Sequence, residues 1–293
     1  MKVLVYGSKG WIGQQFINVL TNNHIEFARG IERCNDKHKI EKEISSASPT
    51  HVISFIGRTH GVRDGKRFPT IDYLETPEKL CENMRDNLFA PLTLAEVCRE
   101  KNIHYTYLGT GCIFKFDEDH PYGKEEQGFV ESDKPNFFGS QYSIVKGYTD
   151  QLMHNYEDSA LNLRIRMPIS DIDNPRNFIT KIVNYEYICS QPNSMTVLPE
   201  LLPIALKMMK DTVTGTMNFT NPGLICHNDI LEMYREKVDP NKTWKNFSPS
   251  EQKKILAADR SNNYLDTSRL EKLYPEVKNI RLSISNLLDE YKL

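Results

Sequence analysis

Tyr142 and Lys146 are four residues apart in a stretch with helical character, which places a phenol and an ammonium on one face of a helix. A neighbouring ammonium favours the phenolate, so Lys146 is expected to lower the pKa of Tyr142 towards the range for proton donation to a carbonyl oxygen. Thr110 lies two residues after a strand-like segment, where its hydroxyl can donate a second hydrogen bond to the same oxygen. Together the three residues predict chemistry at a carbonyl group.

A glycine loop, Gly7-Ser8-Lys9-Gly10-Trp11-Ile12-Gly13, separates the first strand-like segment from the first helical one. Such glycines allow a tight turn, a close approach of the backbone to a pyrophosphate and close packing of helix on strand, while the helix N-terminus attracts phosphates. The pattern predicts dinucleotide contacts at Gly7, Gly10, Trp11, Ile12 and Gly13.

The end of the second predicted strand bears on which dinucleotide binds. It carries no carboxylate for the ribose hydroxyls of NAD, and Arg29 and Arg33 are available there for a 2′-phosphate. We therefore expect NADPH, with Arg33 among its contacts. The alternative is that one or both arginines only face solvent.

The scaffold must bring these residues to one edge of a sheet. Over roughly the first 165 residues, β-branched runs alternate with amphipathic stretches, predicting strands at 3–6, 25–28, 50–56, 104–108 and 161–166 and helices at 11–22, 77–101 and 140–156. This alternation predicts an α/β fold of the Rossmann type with a doubly wound parallel sheet. From Met167 onwards prolines punctuate shorter elements. We therefore expect an NADP-binding domain at 1–168, and a smaller substrate-binding cap at 169–293 that partly returns to the sheet.

Composition narrows the classes of function. The 293 residues include 39 acidic and 37 basic side chains, for a net charge of −2, which argues against a general nucleic-acid binder. No apolar run approaches the roughly 18 residues of a membrane span. A strand-like segment begins at Val3, leaving no room for a signal peptide, and the six cysteines lack metal-ligand spacing. These features predict a cytoplasmic protein with reduced thiols and no metal.

Eight longer segments span nearly the whole chain, at residues 6–13, 110–114, 166–170, 174–181, 192–196, 218–223, 243–247 and 260–263. They resemble segments of the nucleotide-rhamnose synthases, which are epimerase-reductases of the extended short-chain dehydrogenase/reductase superfamily. The resemblance implies that UDP-4-keto-6-deoxy-D-glucose, supplied by a separate 4,6-dehydratase, is epimerised at C-3 and C-5 and reduced at C-4 with NADPH. The implied product is UDP-β-L-rhamnose, and the implied assembly is a homodimer.

Epimerisation beside a ketone needs a base to remove an α-proton and an acid to return one on the opposite face. The resemblance implies Cys112 and Lys181 for these roles, and Lys146 as a contact of the nicotinamide ribose. A buried spacer at Cys112 and an exposed helical lysine at Lys181 are the alternatives. The family further implies cofactor contacts at Phe55, Ile56, Gly57 and Asn87. It implies substrate contacts at Thr59, His60, Arg176, Asn177, Asn193, Asn221 and Arg260. For Arg260, a surface salt bridge is the alternative.

The chain departs from the plant relatives at residues 61–76, where it carries additional charges, in the loop at 122–127, and at Asp259. Two other functions stay open at this point. One is a reductase of dTDP- or UDP-4-keto-rhamnose that does not epimerise, for which Cys112 and Lys181 would be dispensable. The other is a non-catalytic NADP-binding regulatory subunit. Cofactor turnover with a keto-sugar would separate these possibilities.

Overall fold

The computed structural model describes residues 1–291. The first part of the chain alternates strands and helices: β1 (Lys2–Tyr6), α1 (Trp11–Asn22), β2 (Glu26–Arg29), α2 (Lys37–Ala47), β3 (His51–Ser54), β4 (Gly61–Arg63), β5 (Lys66–Phe68), α3 (Leu80–Met84), α4 (Ala90–Glu100), β6 (His104–Thr110), α5 (Gln141–Met153) and β7 (Ala160–Ile165). The elements that follow are shorter on average: β8 (Pro168–Ile169), α6 (Phe178–Val183), β9 (Tyr187–Ile188), β10 (Thr196–Val197), α7 (Leu198–Lys210), β11 (Gly215–Asn218), α8 (His227–Lys237), β12 (Lys245–Asn246), α9 (Pro249–Lys253), α10 (Ser268–Leu273) and α11 (Ile280–Asp289).

Six strands form one sheet in the order β11-β7-β6-β3-β1-β2, and every pair in it is parallel. The predicted α/β class with a doubly wound parallel sheet is confirmed. Strand order reverses between β1 and β3, and ligands of such sheets bind in the crevice at that point, beyond the carboxyl ends of the strands. The loops after β1, β3 and β6 carry the glycine loop, residues 55–60 and Cys112, and lie at this edge.

Apolar side chains cover both faces of the sheet. Along β1, Val3 and Val5 join the core formed with α1 and α7, whereas Leu4 joins the core formed with α2 and α4. A third apolar cluster unites β8, α6, α8 and α11 on the C-terminal side. β11 returns from that half to the sheet, while the boundary at residue 168 stays a prediction.

Three features differ from the predicted elements. α2 was absent from the prediction because its sequence is mostly charged, and only Ile40 and Ile44 are buried. The long helix predicted at 77–101 contains a π-helical turn, Arg85–Phe89. Residues 61–68 form a hairpin of β4 and β5, and Asp64 and Gly65 at its turn have φ angles of 50° and 72°, as a type I′ turn requires.

Within residues 1–291, none of the helices has the length and apolar character needed to span a bilayer.

Candidate active site

The glycine loop leads from β1 into α1 with no room for larger residues. Gly7 has φ +70°, and a Cβ there would lie 2.8 Å from the carbonyl carbon of Phe55; at Gly13 it would lie 2.4 Å from the Gly7 oxygen. No side chain caps the N-terminus of α1, and its first turn contains no acidic residue. The helix therefore presents free N–H groups and the positive end of its dipole, which fits the pyrophosphate of a dinucleotide.

Two cavities meet above the carboxyl ends of the strands. One, of about 400 Å³, runs from the glycine loop past Phe55, Ile56, Gly57 and Asn87 to the floor beside Thr110 and Lys146. The other, of about 580 Å³, lies under the C-terminal elements. Residues shared by both walls include Cys112, Tyr142, Lys181 and Arg260. The predicted reduction and epimerisation residues therefore converge at the junction of the cavities.

Hydrogen bonds tie Thr110 and Cys112 to the start of α5. Thr110 ends β6, and its Oγ1 accepts from the Cys112 amide at 3.1 Å. Ser143 donates its hydroxyl to the Cys112 carbonyl at 2.7 Å, while its own amide donates at 3.0 Å to Ser140, the N-cap of α5. These bonds hold the turn that carries Cys112 against the helix that carries Tyr142.

Lys146 is 4% exposed and is held by a residue that the sequence analysis missed. Its Nζ donates to the hydroxyl of Tyr107 and lies 4.5 Å from the centroid of that ring. Burial lowers the pKa of Lys146 to about 8, and the charge of Asp150 one turn along α5 opposes that effect. Strand alternation, which places Tyr107 with Tyr105 on the face of β6 under α5, could have indicated this contact.

The expected lowering of the Tyr142 pKa is wrong for this structure. Burial raises the pKa of Tyr142, the charge of Cys112 adds to the rise, and a hydrogen bond with Thr110 opposes it. Lys146 does not offset this because its ammonium group is directed to Tyr107. Tyr142 is therefore a neutral phenol that retains its proton for donation.

The opposite wall carries positive charge from the C-terminal half. Lys181 lies on α6, and burial, followed by the charges of Arg176 and Arg260, lowers its pKa. Arg176 donates from Nη2 to Nε2 of His60 at 2.7 Å. Burial, again followed by Arg176, lowers the pKa of His60 to about 4, so the imidazole is neutral. Thr59 lies beside it in the wall of the smaller cavity.

Arg260 is oriented by Asp72, a second residue that the sequence analysis missed. Its Nη2 donates to Oδ2 of Asp72 at 2.7 Å, and its Nη1 donates to the Ala258 carbonyl at 2.8 Å. Oδ1 of Asp72 accepts from the amides of Ala257 and Ala258 at 3.0 and 2.9 Å. One carboxylate thus fixes both the guanidinium and the backbone that precedes it.

Three predicted substrate contacts lie elsewhere. Asn177 caps α6, and its amide donates to the Ser170 and Ile172 carbonyls. Asn193 accepts from Arg166 and from the Asn263 amide, whereas Asn221 joins α7 to the segment before α11. All three are fully buried, and neither cavity includes Asn177, Asn193 or Asn221. The structure gives their side chains partners within the fold and does not bring them to either cavity, so their contact with substrate stays a prediction.

Two predicted cofactor contacts, Asn87 and Arg33, have different surroundings. Asn87 lies in the π-helical turn and lines the smaller cavity, but its amide bonds with both backbone groups of Arg58 and so holds the loop after β3. Arg33 is exposed and lines neither of the two cavities. The contact of Arg33 with the cofactor therefore stays a prediction.

Comparison with known proteins agrees with this geometry. Residues 3–184 match the model of the NAD dependent epimerase/dehydratase family. The chain belongs to this family. A bifunctional dTDP-4-dehydrorhamnose 3,5-epimerase/dTDP-4-dehydrorhamnose reductase of Arabidopsis thaliana is 45% identical over 98% of this chain and 92% of its own length. A trifunctional Arabidopsis relative, RHM1, which is also named as a UDP-glucose 4,6-dehydratase, is 44% identical over 97% of this chain but only 41% of its own length.

Solved structures extend the family relationship to three dimensions. The L780 UDP-rhamnose synthase of Acanthamoeba polyphaga mimivirus superimposes with a TM-score of 0.94 at 51% identity, and covers 99% of both chains. A dTDP-4-dehydrorhamnose reductase of Bacillus anthracis, solved with NADP, has a TM-score of 0.80 at 14% identity over 99% of this chain and 98% of its own. The second similarity is one of fold alone. The resemblance to nucleotide-rhamnose synthases is confirmed, and the homologues are sugar-nucleotide epimerase-reductases.

Proposed function

We propose that this chain is a bifunctional 3,5-epimerase/4-reductase that converts UDP-4-keto-6-deoxy-D-glucose into UDP-β-L-rhamnose with NADPH. The observation that carries the proposal is the junction of two cavities at Cys112, Tyr142 and Lys181. A reductase that did not epimerise would have no use for a thiol and an amine at that junction. The L780 and Arabidopsis relatives support the same activity.

The smaller cavity would hold NADPH. The glycine loop and the N-terminus of α1 would bind its pyrophosphate, and Phe55, Ile56 and Gly57 would line its path towards Lys146. When bound, NADPH supplies the two electrons that reduce the C-4 ketone. The sugar nucleotide would occupy the larger cavity, where Arg260 presents a guanidinium suited to a diphosphate.

Reduction depends on the floor residues of β6 and α5. Tyr142, held as a phenol, donates its proton to the C-4 oxygen as that oxygen gains electron density. The Thr110 hydroxyl donates a hydrogen bond to the same oxygen. Lys146 supplies positive charge below the site and leaves the phenol proton in place because it bonds to Tyr107 instead.

Epimerisation uses the same carbonyl before it is reduced. The C-4 ketone acidifies the protons at C-3 and C-5, and Thr110 and Tyr142 stabilise the negative charge that develops on its oxygen. Cys112 and Lys181 exchange protons at these carbons. The lowered pKa of Lys181 increases the share of neutral amine, which lets this residue accept a proton as well as donate one.

The test is NADPH consumption on enzymatically prepared UDP-4-keto-6-deoxy-D-glucose, with the product identified by NMR. Wild type is expected to yield UDP-rhamnose, and Cys112→Ala to lose it. Cys81→Ala is the matched control because that thiol is exposed and lines neither of the two cavities. UDP-rhamnose made by Cys112→Ala at the wild-type rate would overturn the role of Cys112. No NADPH oxidation by wild type, with UDP or dTDP substrate, would favour a binding module.

The remaining partner assignments belong to the same proposal. A separate 4,6-dehydratase supplies the substrate, and the six unpaired thiols suit the reducing cytoplasm. A homodimer is proposed through the π-helical turn, α4 and α5, where the side chains of Phe89, Tyr148 and Leu152 are 53%, 61% and 40% exposed. Tyr148→Glu is expected to give a monomer in analytical ultracentrifugation. A variant that sediments like the wild type would exclude this face.

A further inference from the structure

Asn83 lies on α3, is fully buried, and lines neither of the two cavities. The proposed chemistry does not use it. Its side-chain amide nevertheless forms hydrogen bonds towards two elements that the chemistry needs, the loop after β3 and the start of α5. A buried amide with a partner on each side can fix the position of one element relative to the other.

The first side of this connection is the loop after β3. The Arg58 amide donates to Oδ1 of Asn87 at 2.8 Å, and Nδ2 of Asn87 donates to the Arg58 carbonyl at 2.9 Å. The same Nδ2 also donates to Oδ1 of Asn83 at 2.8 Å. Arg58 lies between Gly57 and Thr59, which both line the smaller cavity. Asn83 is therefore bound, through Asn87, to the backbone of that cavity wall.

The second side is the start of α5. Nδ2 of Asn83 donates to the Gln141 carbonyl at 3.0 Å, and Gln141 directly precedes Tyr142. A further attachment lies about two turns along α5, where Thr149 donates from Oγ1 to the Asn87 carbonyl at 2.7 Å. The helix that carries Tyr142 is therefore bound to Asn83 and Asn87 at two levels.

Reduction of a ketone makes the separation of these two elements important. The electrons reach C-4 from the side of the smaller cavity, and the proton reaches the C-4 oxygen from Tyr142, so the two donors must meet adjacent atoms of one carbonyl group. Misplacement of a reacting group by about 1 Å can cost a factor of about 100 in rate. A residue that fixes the loop after β3 against the start of α5 therefore acts on both donors from outside the cavities.

We propose that Asn83 is a positioning residue that holds the loop after β3 at a fixed position relative to Tyr142. The inference rests on the proposed function for the reaction that needs this geometry. The direction of the bonds makes the residue type specific, because the Asn83 oxygen accepts from Asn87 and its nitrogen donates to Gln141. A carboxylate at this position could only accept, whereas a protonated carboxyl group could both accept and donate.

The experiment compares Asn83→Asp with wild type from about pH 6 to 9, by calorimetric titration with NADP⁺ and by kcat for NADPH consumption on UDP-4-keto-6-deoxy-D-glucose. The introduced carboxyl group restores both bonds when it is protonated. When it ionises, it loses its donor and repels the Gln141 carbonyl. As pH rises, the ratio of variant to wild type should therefore fall about tenfold in kcat and about threefold or more in NADP⁺ affinity. Buried carboxyl groups titrate as high as about pH 8 to 9, which places the change within this range.

A second variant, Asn83→Ala, removes both bonds without adding a charge, so it should show the same losses at every pH. The charged groups on the surrounding elements are common to wild type and both variants, and the ratio therefore reports on position 83. These groups are Arg58 with its partners Glu82 and Asp86, Glu75 at the Gln141 amide, and Lys146 and Asp150 on α5.

Asn218→Asp is the matched control. Asn218 is an equally buried amide that donates to the carbonyls of Phe129 and Asp266, and it lines neither of the two cavities. This variant should lose stability in urea, while the NADP⁺ affinity and kcat of the folded enzyme stay within about twofold of wild type. A ratio for Asn83→Asp that does not change with pH would overturn the proposal. Wild-type affinity and kcat in Asn83→Ala, or an equal loss in Asn218→Asp, would do the same.

NADP⁺ affinity is measured without turnover, so this proposal and the proposed function can fail separately. A wild-type chain that bound NADP⁺ but consumed no NADPH with the keto-sugar would contradict the proposed function. The NADP⁺ affinities of the two Asn83 variants would then still decide whether Asn83 holds the loop after β3.

Discussion

The cationic side chains on the two walls of the site differ in the partners that they contact. On the floor, formed by β6 and α5, Lys146 bonds to Tyr107 and has Asp150 one turn away. Asp150 is itself bound by Arg164 through two hydrogen bonds of 2.9 and 2.7 Å. On the cap side, formed by α6 and the loops around it, Arg176 contacts only a neutral imidazole, and no ion pair within residues 1–291 involves Lys181.

The positive charges of the floor are therefore paired within the folded chain, whereas those of the cap side are expected to gain partners from a bound ligand. The floor is buried, and its charges are balanced by neighbouring groups, so its geometry is set before any ligand binds. On the cap side Arg260 is paired with Asp72, but within residues 1–291 Arg176 and Lys181 have no carboxylate partner, and anionic groups of a nucleotide can supply one in the partly open cavity. We therefore expect variants of the floor to reduce the rate of chemistry, and variants of the cap side to change binding and proton exchange.

The largest expected effect is that of Tyr142→Phe compared with Lys181→Met. Loss of the phenol should lower NADPH consumption by roughly two to four powers of ten, because the proton donor at C-4 is gone. Lys181→Met should stop UDP-rhamnose formation while NADPH consumption falls less, as measured by absorbance and by product NMR. A rate of NADPH consumption by Tyr142→Phe within tenfold of wild type would contradict the role of the floor in the chemical step.

Next in size is the loss of stability in acid. Burial lowers the pKa of His227, in the wall of the larger cavity, to about 4, whereas an unfolded histidine titrates near 6.5. The unfolded chain therefore binds more protons, and stability falls as pH drops from about 6.5 towards 4. Between pH 7 and 5 this residue should cost about 2 kcal/mol, measured by urea unfolding. His227→Gln should reduce that loss, and exposed His38→Gln should not; equal slopes in both variants would contradict the assignment.

A smaller effect is expected for Asp72→Asn. Weakening the anchor of Arg260 should raise the KM for the sugar nucleotide about tenfold, while the KM for NADPH and kcat change little. Asp64→Asn is the control because that carboxylate lies on the exposed hairpin turn. A fall in kcat without a change in KM would show that Asp72 does not act through substrate binding.

The smallest effect concerns alkaline pH. Since burial lowers the pKa of Lys146 to about 8, its ammonium form is lost as pH rises through that value, and kcat/KM should decline there. Tyr107→Phe removes the hydrogen-bond acceptor of the ammonium, so the decline should begin at lower pH. Tyr105→Phe, on the same face of β6, should leave the profile unchanged. Identical pH profiles for Tyr107→Phe and wild type would show that Tyr107 does not stabilise the ammonium form of Lys146.

Local patterns predicted the parts of the site that lie at strand ends and at the start of α5. The glycine loop, Thr110 and the Tyr142–Lys146 pair depend on short spacing and on the alternation of strands and helices. α2 and the hairpin escaped prediction because their buried apolar residues are few. Asn193 and Asn221 matched family segments, yet their amides serve the fold, and burial cannot be read from a motif.

The sequence by itself determined the parallel sheet, the dinucleotide loop and the residue types for reduction, because each is marked by a local pattern: alternating strands and helices, the glycine spacing, and the four-residue spacing of Tyr142 and Lys146. Only the tertiary structure decided how those residues are held. Arg260 meets Asp72 across 188 residues, and Lys146 meets Tyr107 across 39. The direction of the Tyr142 pKa was also decided there, since burial and the partner of Lys146 depend on the whole fold. Such partners are set by packing between distant segments, which spacing along the chain does not encode.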